Sequence, residues 1–174
     1  MENIKKTIRT IPHFPMKGIM FRDITTLLKD ANAFKETIDA LVDRYRHQSF
    51  DVVAGIESRG FIIAGVIAYL LGKGFIPIRK PGKLPAETYR VDYELEYGND
   101  AIEMHKDSVN QGSRVLIVDD LLATGGTMKA ACEIVEKAGG IVVECAFIVD
   151  LPDLKGRDKL KDYQVFTLVK FEGE

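Results

Sequence analysis

Tryptophan is absent from the 174 residues, cysteine occurs twice and histidine three times. Two cysteines exclude a disulfide-stapled scaffold. Cys132 and Cys145 both lie in apolar surroundings and read as small buried hydrophobes of a reducing compartment, with a disulfide or a metal pair as the alternative. His13, His47 and His105 show no ligand spacing, which argues against a transition-metal centre. No apolar run is long enough to cross a bilayer, and Met1 to Lys6 opens with charged residues. The sequence therefore predicts no transmembrane helix, no signal peptide, no membrane partner and a cytoplasmic location. A surplus of one charge is also missing. Lys plus Arg number 24 against 26 Asp plus Glu, a formal net charge of -2, so the bulk composition lends no support to nucleic acid as a partner.

What is present suits one ordinary globular domain. Apolar residues make up 46% and charged residues 29% of the chain, enough for a sizeable core. No repeat, low-complexity tract or linker divides it, so residues 1–174 read as a single domain. The stretch to about residue 30 carries Pro12, Pro15 and Gly18 and reads as irregular, with short pieces of helix or strand. Phe34, Ile38, Leu41, Val42 and Tyr45 then recur at helical spacing between Asn32 and Tyr45. Short apolar runs at 51–56, 75–78, 114–118, 141–149 and 164–169 predict strands, and 60–71 and 127–138 predict helices. Pro77 demotes the second of those strands. Between 81 and 105, Tyr89, Val91, Tyr93, Leu95 and Tyr97 alternate with polar residues, which predicts a hairpin with exposed faces, able to close as a lid. Short apolar strands alternating with helices imply an α/β fold, its mainly parallel sheet covered on both faces. Ligands in such sheets bind beyond the carboxyl ends of the strands.

Three strand ends carry the chemistry. After Val115–Val118 come Asp119 and Asp120, then Leu121-Leu122-Ala123-Thr124-Gly125-Gly126-Thr127 opening into a helix. Glycines let several backbone N–H groups converge, a helix N-terminus adds partial positive charge, and Thr124 and Thr127 add hydroxyl donors: a phosphate cradle. It is not a nucleoside-triphosphate loop, because no Lys follows the glycines. The paired acids beside it suit two ribose hydroxyls or a Mg²⁺ carried by the ligand; alone they read equally as a strand-end turn. The second end, Glu57-Ser58-Arg59-Gly60-Phe61, offers backbone donors and a guanidinium for another anion, and in isolation reads as a plain turn with a solvated Arg. The third, Arg79-Lys80-Pro81-Gly82-Lys83-Leu84-Pro85, sets three cations within five residues, an anion clamp or a solvated basic turn.

Val115 to Thr127 resembles the phosphoribosyl-pyrophosphate motif of the type I phosphoribosyltransferases. The run 119–127, with 57–61, 79–85, 95–98 and 18–24, is similar to the adenine phosphoribosyltransferase family in order along essentially the whole chain. The resemblance implies a type I phosphoribosyltransferase fold with an N-terminal hood (about 1–30) and a flexible hairpin lid (about 81–105). It also implies a transfer from phosphoribosyl pyrophosphate (PRPP) to adenine that yields AMP and pyrophosphate, with Mg²⁺ held mainly through PRPP near Asp119 and Asp120.

On the same resemblance, Ala123, Thr124, Gly125, Gly126 and Thr127 take the 5′-phosphate, and Asp119 and Asp120 the ribose. Glu57, Ser58 and Arg59 form a pyrophosphate loop, often with a non-proline cis peptide, joined by Arg79, Lys80 and Lys83. Phe21 and Leu121 sandwich adenine, with Met20 giving backbone contacts and Arg22 nearby. Glu96, Tyr97, Arg59 and Lys83 are the catalytic candidates. The family's counterpart of Arg79 reaches the neighbouring subunit's site, which implies a homodimer. A transferase for another base, or a regulator that keeps the site as a sensor, are the rival readings.

Overall fold

The computed structural model describes residues 1–95 and 98–173. Five parallel strands form the central sheet: β3 (Val52–Ile56), β4 (Gly74–Ile78), β7 (Arg114–Leu122), β8 (Ile141–Asp150) and β9 (Val165–Lys170), in the spatial order β4-β3-β7-β8-β9. Chain order reverses between β3 and β7, so a crevice opens where their carboxyl ends diverge. Pro77 lies in β4, an edge strand, where a missing N–H costs least.

Alternation along these strands divides the interior in two. Val53, Leu116, Val118, Ala146 and Ile148 point into one layer with α3 (Ala31–Tyr45) and α4 (Arg59–Leu70). Their neighbours Ala54, Val115, Ile117, Cys145 and Phe147 point into the other, with α5 (Gly126–Lys137). That is the period-2 geometry of a strand buried on both faces. Helix α3 starts because the Asp30 side chain accepts from the backbone N–H groups of Asn32 and Ala33, and it buries Ile38, Leu41, Val42 and Tyr45 as the spacing predicts. The buried Glu144 on β8 receives Arg44 through both guanidinium arms and the Tyr45 hydroxyl at 2.7 Å, which fixes α3 on the sheet. Cys132 and Cys145 are free thiols whose sulfurs touch at 3.4 Å across α5 and β8. Among the described residues no helix is long and apolar enough to cross a membrane.

The N-terminal stretch is more ordered than its prolines suggest. It forms α1 (Glu2–Thr7), the antiparallel pair β1 (Arg9–Pro12) and β2 (Met20–Asp23), and α2 (Thr25–Lys29). Ile4, Ile8, Ile24 and Leu27 belong to the first core layer, so this segment folds onto the domain. The hairpin is β5 (Thr88–Leu95) and β6 (Gly98–His105). The expectation of exposed faces is corrected here: Tyr89, Val91 and Tyr93 pack on the second core layer, and β5 lies against α5. Strand β7 is also longer than its apolar run, because Asp119 to Leu122 keep pairing with β8. Two short 3₁₀ helices, Pro152–Leu154 and Gly156–Leu160, follow β8 and carry no periodic signal.

Asp23 anchors the start of α2. Its carboxylate is bound by Arg9 and accepts from the Thr25 N–H at 2.9 Å and hydroxyl at 2.8 Å. The Arg9 bond, chiefly, holds its pKa down at about 2 against the opposing effect of burial. A carboxylate with a lowered folded-state pKa stabilises above its unfolded value and loses that contribution as pH falls through the folded one. Wild-type unfolding free energy should therefore fall between pH 4 and 2. Asp23→Asn should remove about 1 kcal/mol of that fall, a pair open to water on the Arg9 side being partly screened. Urea titrations across that range check it.

Candidate active site

Three loops converge at the β3–β7 crevice. The segment after β7 turns through Ala123 and Thr124 to Gly125, whose φ of +79° suits glycine, and enters α5 at Gly126. These residues, with Asp119, Leu121, Leu122, Thr127, Met128 and Phe147, line a cavity of about 80 Å³ at the α5 N-terminus. A segment the sequence does not flag packs against the backbone of this loop. A Cβ on Gly125 would sit 2.4 Å from the Gly156 carbonyl oxygen, and one on Gly156 would sit 2.2 Å from that of Ala123. Two glycines thus let the 3₁₀ segment press directly on the cradle backbone. Arg157 beside it donates to the buried Asp150 at 2.9 Å and to the Thr167 hydroxyl at 3.0 Å, tying that segment to β8 and β9.

A larger cavity of about 370 Å³ is lined by Ile56, Glu57, Ser58, Arg59, Lys80, Asp119, Asp120, Leu121 and Thr127. It shares Asp119, Leu121 and Thr127 with the first, so the two adjoin at the end of β7. The Glu57–Ser58 peptide is cis. Gly60 allows α4 to start against β7, since a Cβ there would lie 2.9 Å from Asp119 Oδ1 and 3.0 Å from the Val118 carbonyl oxygen. Burial, together with the charge of adjacent Asp120, pushes the Asp119 carboxyl well above the ordinary range. Asp120, 5% exposed, accepts from Arg59 Nε at 2.6 Å.

On the other wall, Glu57 accepts from Lys83 Nζ at 2.6 Å, from both arms of Arg79 at 3.2 and 3.3 Å, and from the Lys80 N–H at 3.0 Å. Burial would raise its pKa, but those donors outweigh it and hold the carboxyl at about 2. Lys80 reaches across to the hairpin, where it binds Asp100 and the Tyr93 hydroxyl. Against burial, which would lower it, Asp100 and Tyr93 raise the Lys80 pKa. The Tyr93 hydroxyl lies 3.1 Å from Asp100 and receives Thr127 Oγ1 at 3.3 Å. Neither Tyr93 nor Asp100 stood out as a site residue in the sequence; Tyr93's inward place in the alternation was the available signal.

A family profile described as a phosphoribosyl transferase domain matches residues 23–174. An adenine phosphoribosyltransferase of Desulfosudis oleivorans is 55% identical over 172 residues, covering 99% of both chains. The chain belongs to the adenine phosphoribosyltransferase family. Solved structures agree along its length. The adenine phosphoribosyltransferase of Thermoanaerobacter pseudethanolicus superposes with a TM-score of 0.95 at 54% identity, covering 98% of this chain and 99% of that one. The Saccharomyces cerevisiae enzyme, complexed with D-2,5-dideoxy-2,5-imino-altritol 1,6-bisphosphate and adenine, gives 0.91 at 41% identity, with 97% of each chain covered.

Most residues singled out through the adenine phosphoribosyltransferase resemblance therefore share one crevice. Asp119, Asp120, Ala123 to Thr127, Glu57, Ser58, Arg59, Lys80 and Leu121 line the cavities, and Arg79 and Lys83 reach them through Glu57. Met20, Phe21 and Arg22 line neither of these cavities. Phe21 packs edge-on against Phe14 and lies 5.7 Å from the Arg59 guanidinium. Met20 precedes it on β2. Arg22 is buried, donates to the Thr10 hydroxyl at 2.6 Å and covers the Phe171 ring at 4.5 Å, which joins the hood to the end of the chain. Glu96 and Tyr97 lie outside the described residues.

Gly156→Ala tests the packing of the 3₁₀ segment on the cradle backbone. The methyl must displace both the Ala123 carbonyl oxygen, 2.2 Å away, and the Leu122 side chain, 2.8 Å away. Unfolding free energy should drop by about 1–3 kcal/mol, the cost of overpacking a close contact. Urea titration of the variant against the wild type checks it.

Proposed function

We propose that this chain transfers the phosphoribosyl group of PRPP to adenine, forming AMP and releasing pyrophosphate. The observation that carries the reading is the crevice in which a glycine cradle at a helix N-terminus, an adjacent acid pair and a cluster of cations meet. This is the order of groups along PRPP: 5′-phosphate, ribose hydroxyls, diphosphate. Backbone N–H groups of 123–127, with Thr124 and Thr127 hydroxyls, hold the 5′-phosphate. Asp119 and Asp120 accept from the ribose hydroxyls. Arg59, Arg79, Lys80 and Lys83 neutralise the diphosphate as it leaves, while the C1 carbon takes on oxocarbenium character.

Phe21 and Leu121 grip the purine between apolar faces, and Met20 backbone groups read its edge. Phe21 reaches the crevice through Arg59, which also holds Asp120. Glu96 handles the proton of the base, with Tyr97 beside it in sequence; these two roles rest on the family resemblance.

Among the described residues no cluster of three or more His, Cys, Asp or Glu side chains could hold a metal. Two neighbouring carboxylates suit a Mg²⁺ that takes most of its oxygens from phosphates and water, so Asp119 and Asp120 would hold it together with PRPP. When bound, the ion adds positive charge to the departing diphosphate.

A homodimer has physical support in α4, which is apolar around its circumference. Tyr69 is 83% exposed and Leu70 and Ile62 are about half exposed, with Phe75 of β4 nearby in sequence. The reading places the enzyme in the cytoplasm, with no membrane or nucleic-acid partner.

Adenine, hypoxanthine, guanine, xanthine and orotate are each to be offered with PRPP and Mg²⁺, and the nucleotide quantified. AMP from adenine alone is the expected result; another base as the preferred acceptor would discard the hood assignment. Asp120→Asn and Lys83→Ala should each lower transfer about 100-fold, the scale of a mispositioned reacting group. Both should keep the wild-type circular dichroism spectrum, and wild-type turnover in both would overturn the site.

A further inference from the structure

Each of the four cations assigned to the anion sites already has a carboxylate of its own chain. Arg59 is paired with Asp120, Lys80 with Asp100, and Arg79 and Lys83 with Glu57. Glu57 differs from the other two acids. It alone receives two cationic side chains, and it adds a backbone N–H from the residue between them. Oε1 takes Lys83 and one arm of Arg79; Oε2 takes the other arm and the Lys80 N–H. A planar anion held by a guanidinium fork, an ammonium and an amide is held as a phosphate group would be. Glu57 is 11% exposed, so little water reaches the carboxylate, while Arg79 and Lys83 stay partly open to solvent. A carboxylate offers only acceptors, and toward an incoming polyanion it contributes repulsion. Its place at the centre of this donor set is thus not that of a group that binds the ligand.

We propose that Glu57 is an internal stand-in for the diphosphate, holding the same cations whenever no diphosphate is bound, yielding to it on binding and displacing it on release. The inference rests on the phosphoribosyl-transfer reading and assigns Glu57 a role opposite to that of its cationic neighbours. One carboxylate charge is outcompeted by a diphosphate of three or more, but competes well with singly charged anions. The site therefore selects for a polyanion without retaining lesser ones. The same competition speeds the departure of pyrophosphate, because the carboxylate returns to the donors as the product's contacts loosen.

The test is calorimetric titration of inorganic pyrophosphate with Mg²⁺, in the absence of adenine, into the wild type, Glu57→Gln and Glu57→Asp. Gln keeps the shape and one acceptor but loses the charge. Its pyrophosphate affinity should rise about five- to thirtyfold, the equivalent of one or two part-exposed ion pairs that no longer have to be displaced. Pyrophosphate should also inhibit AMP formation at correspondingly lower concentrations. Glu57→Asp, whose shorter side chain keeps the charge but reaches the donors less well, should show a smaller rise, and it carries the test if the Gln variant does not fold.

Unchanged or weaker pyrophosphate binding in the folded variants would overturn the stand-in and make Glu57 an orienting residue. AMP formation by the same wild-type preparation separates the two levels. Weaker variant binding with AMP formed refutes the stand-in alone. No AMP and no pyrophosphate binding refutes the phosphoribosyl reading together with it.

Discussion

Gathering several positive charges at one edge of a sheet carries a penalty when nothing negative is there to hold them. Arg59, Arg79, Lys80 and Lys83 come from the ends of β3 and β4, and without counter-charges their repulsion would splay the loops that carry them. The chain answers with acids from three separate elements. Asp120 from β7, Asp100 from the hairpin and Glu57 from the loop after β3 each take up a cation. These pairs do more than neutralise. They connect the hairpin to the β4 loop, and the β3 loop to β7, so the geometry of the crevice follows from how its charges are satisfied. Tyr93 extends the connection to the cradle through Thr127.

A second constraint is closeness of backbones. Gly60 lets α4 begin on top of Asp119, and the Gly125–Gly156 contact brings the 3₁₀ segment against the cradle backbone. In both places a methyl group is too large. These contacts set α4 and the 3₁₀ segment against the strand end that carries the acid pair and the cradle, at the point where strand order reverses. The site is therefore a property of how separate chain segments pack, and one of them, the 3₁₀ segment, carries no recognisable loop pattern.

That distinction explains what could be read from the sequence. Strands such as Val52–Ile56 and helices such as α3 are legible because apolar periodicity is a local signal. The cradle is legible because its glycines and threonines are contiguous. Local patterns stop short where pairing continues through polar residues, as in the extension of β7 over Asp119 and Asp120. They also miss segments too short for a period, as in the 3₁₀ pieces at 152–160. The Glu57 clasp joins residues 22 to 26 positions apart, and no composition argument would choose an acid as the centre of a cationic site. The hairpin was read as exposed because alternation reports one apolar face without saying whether a partner covers it; α5 does. Glu96 follows only from the family resemblance, because no local pattern singles out one acid in a run of alternating residues.

The partition of the interior by the sheet has a further meaning for how such a chain diversifies. Leu116 and Val118 answer to α3, α4 and the hood, whereas Val115 and Ile117 answer to α5 and the hairpin, although the four alternate along one strand. Side chains on opposite faces share no packing partners, so volume changes in one layer leave the other nearly untouched and their effects add. The layer under the N-terminal segment can therefore accept changes of volume while the layer that packs on α5 stays as it is.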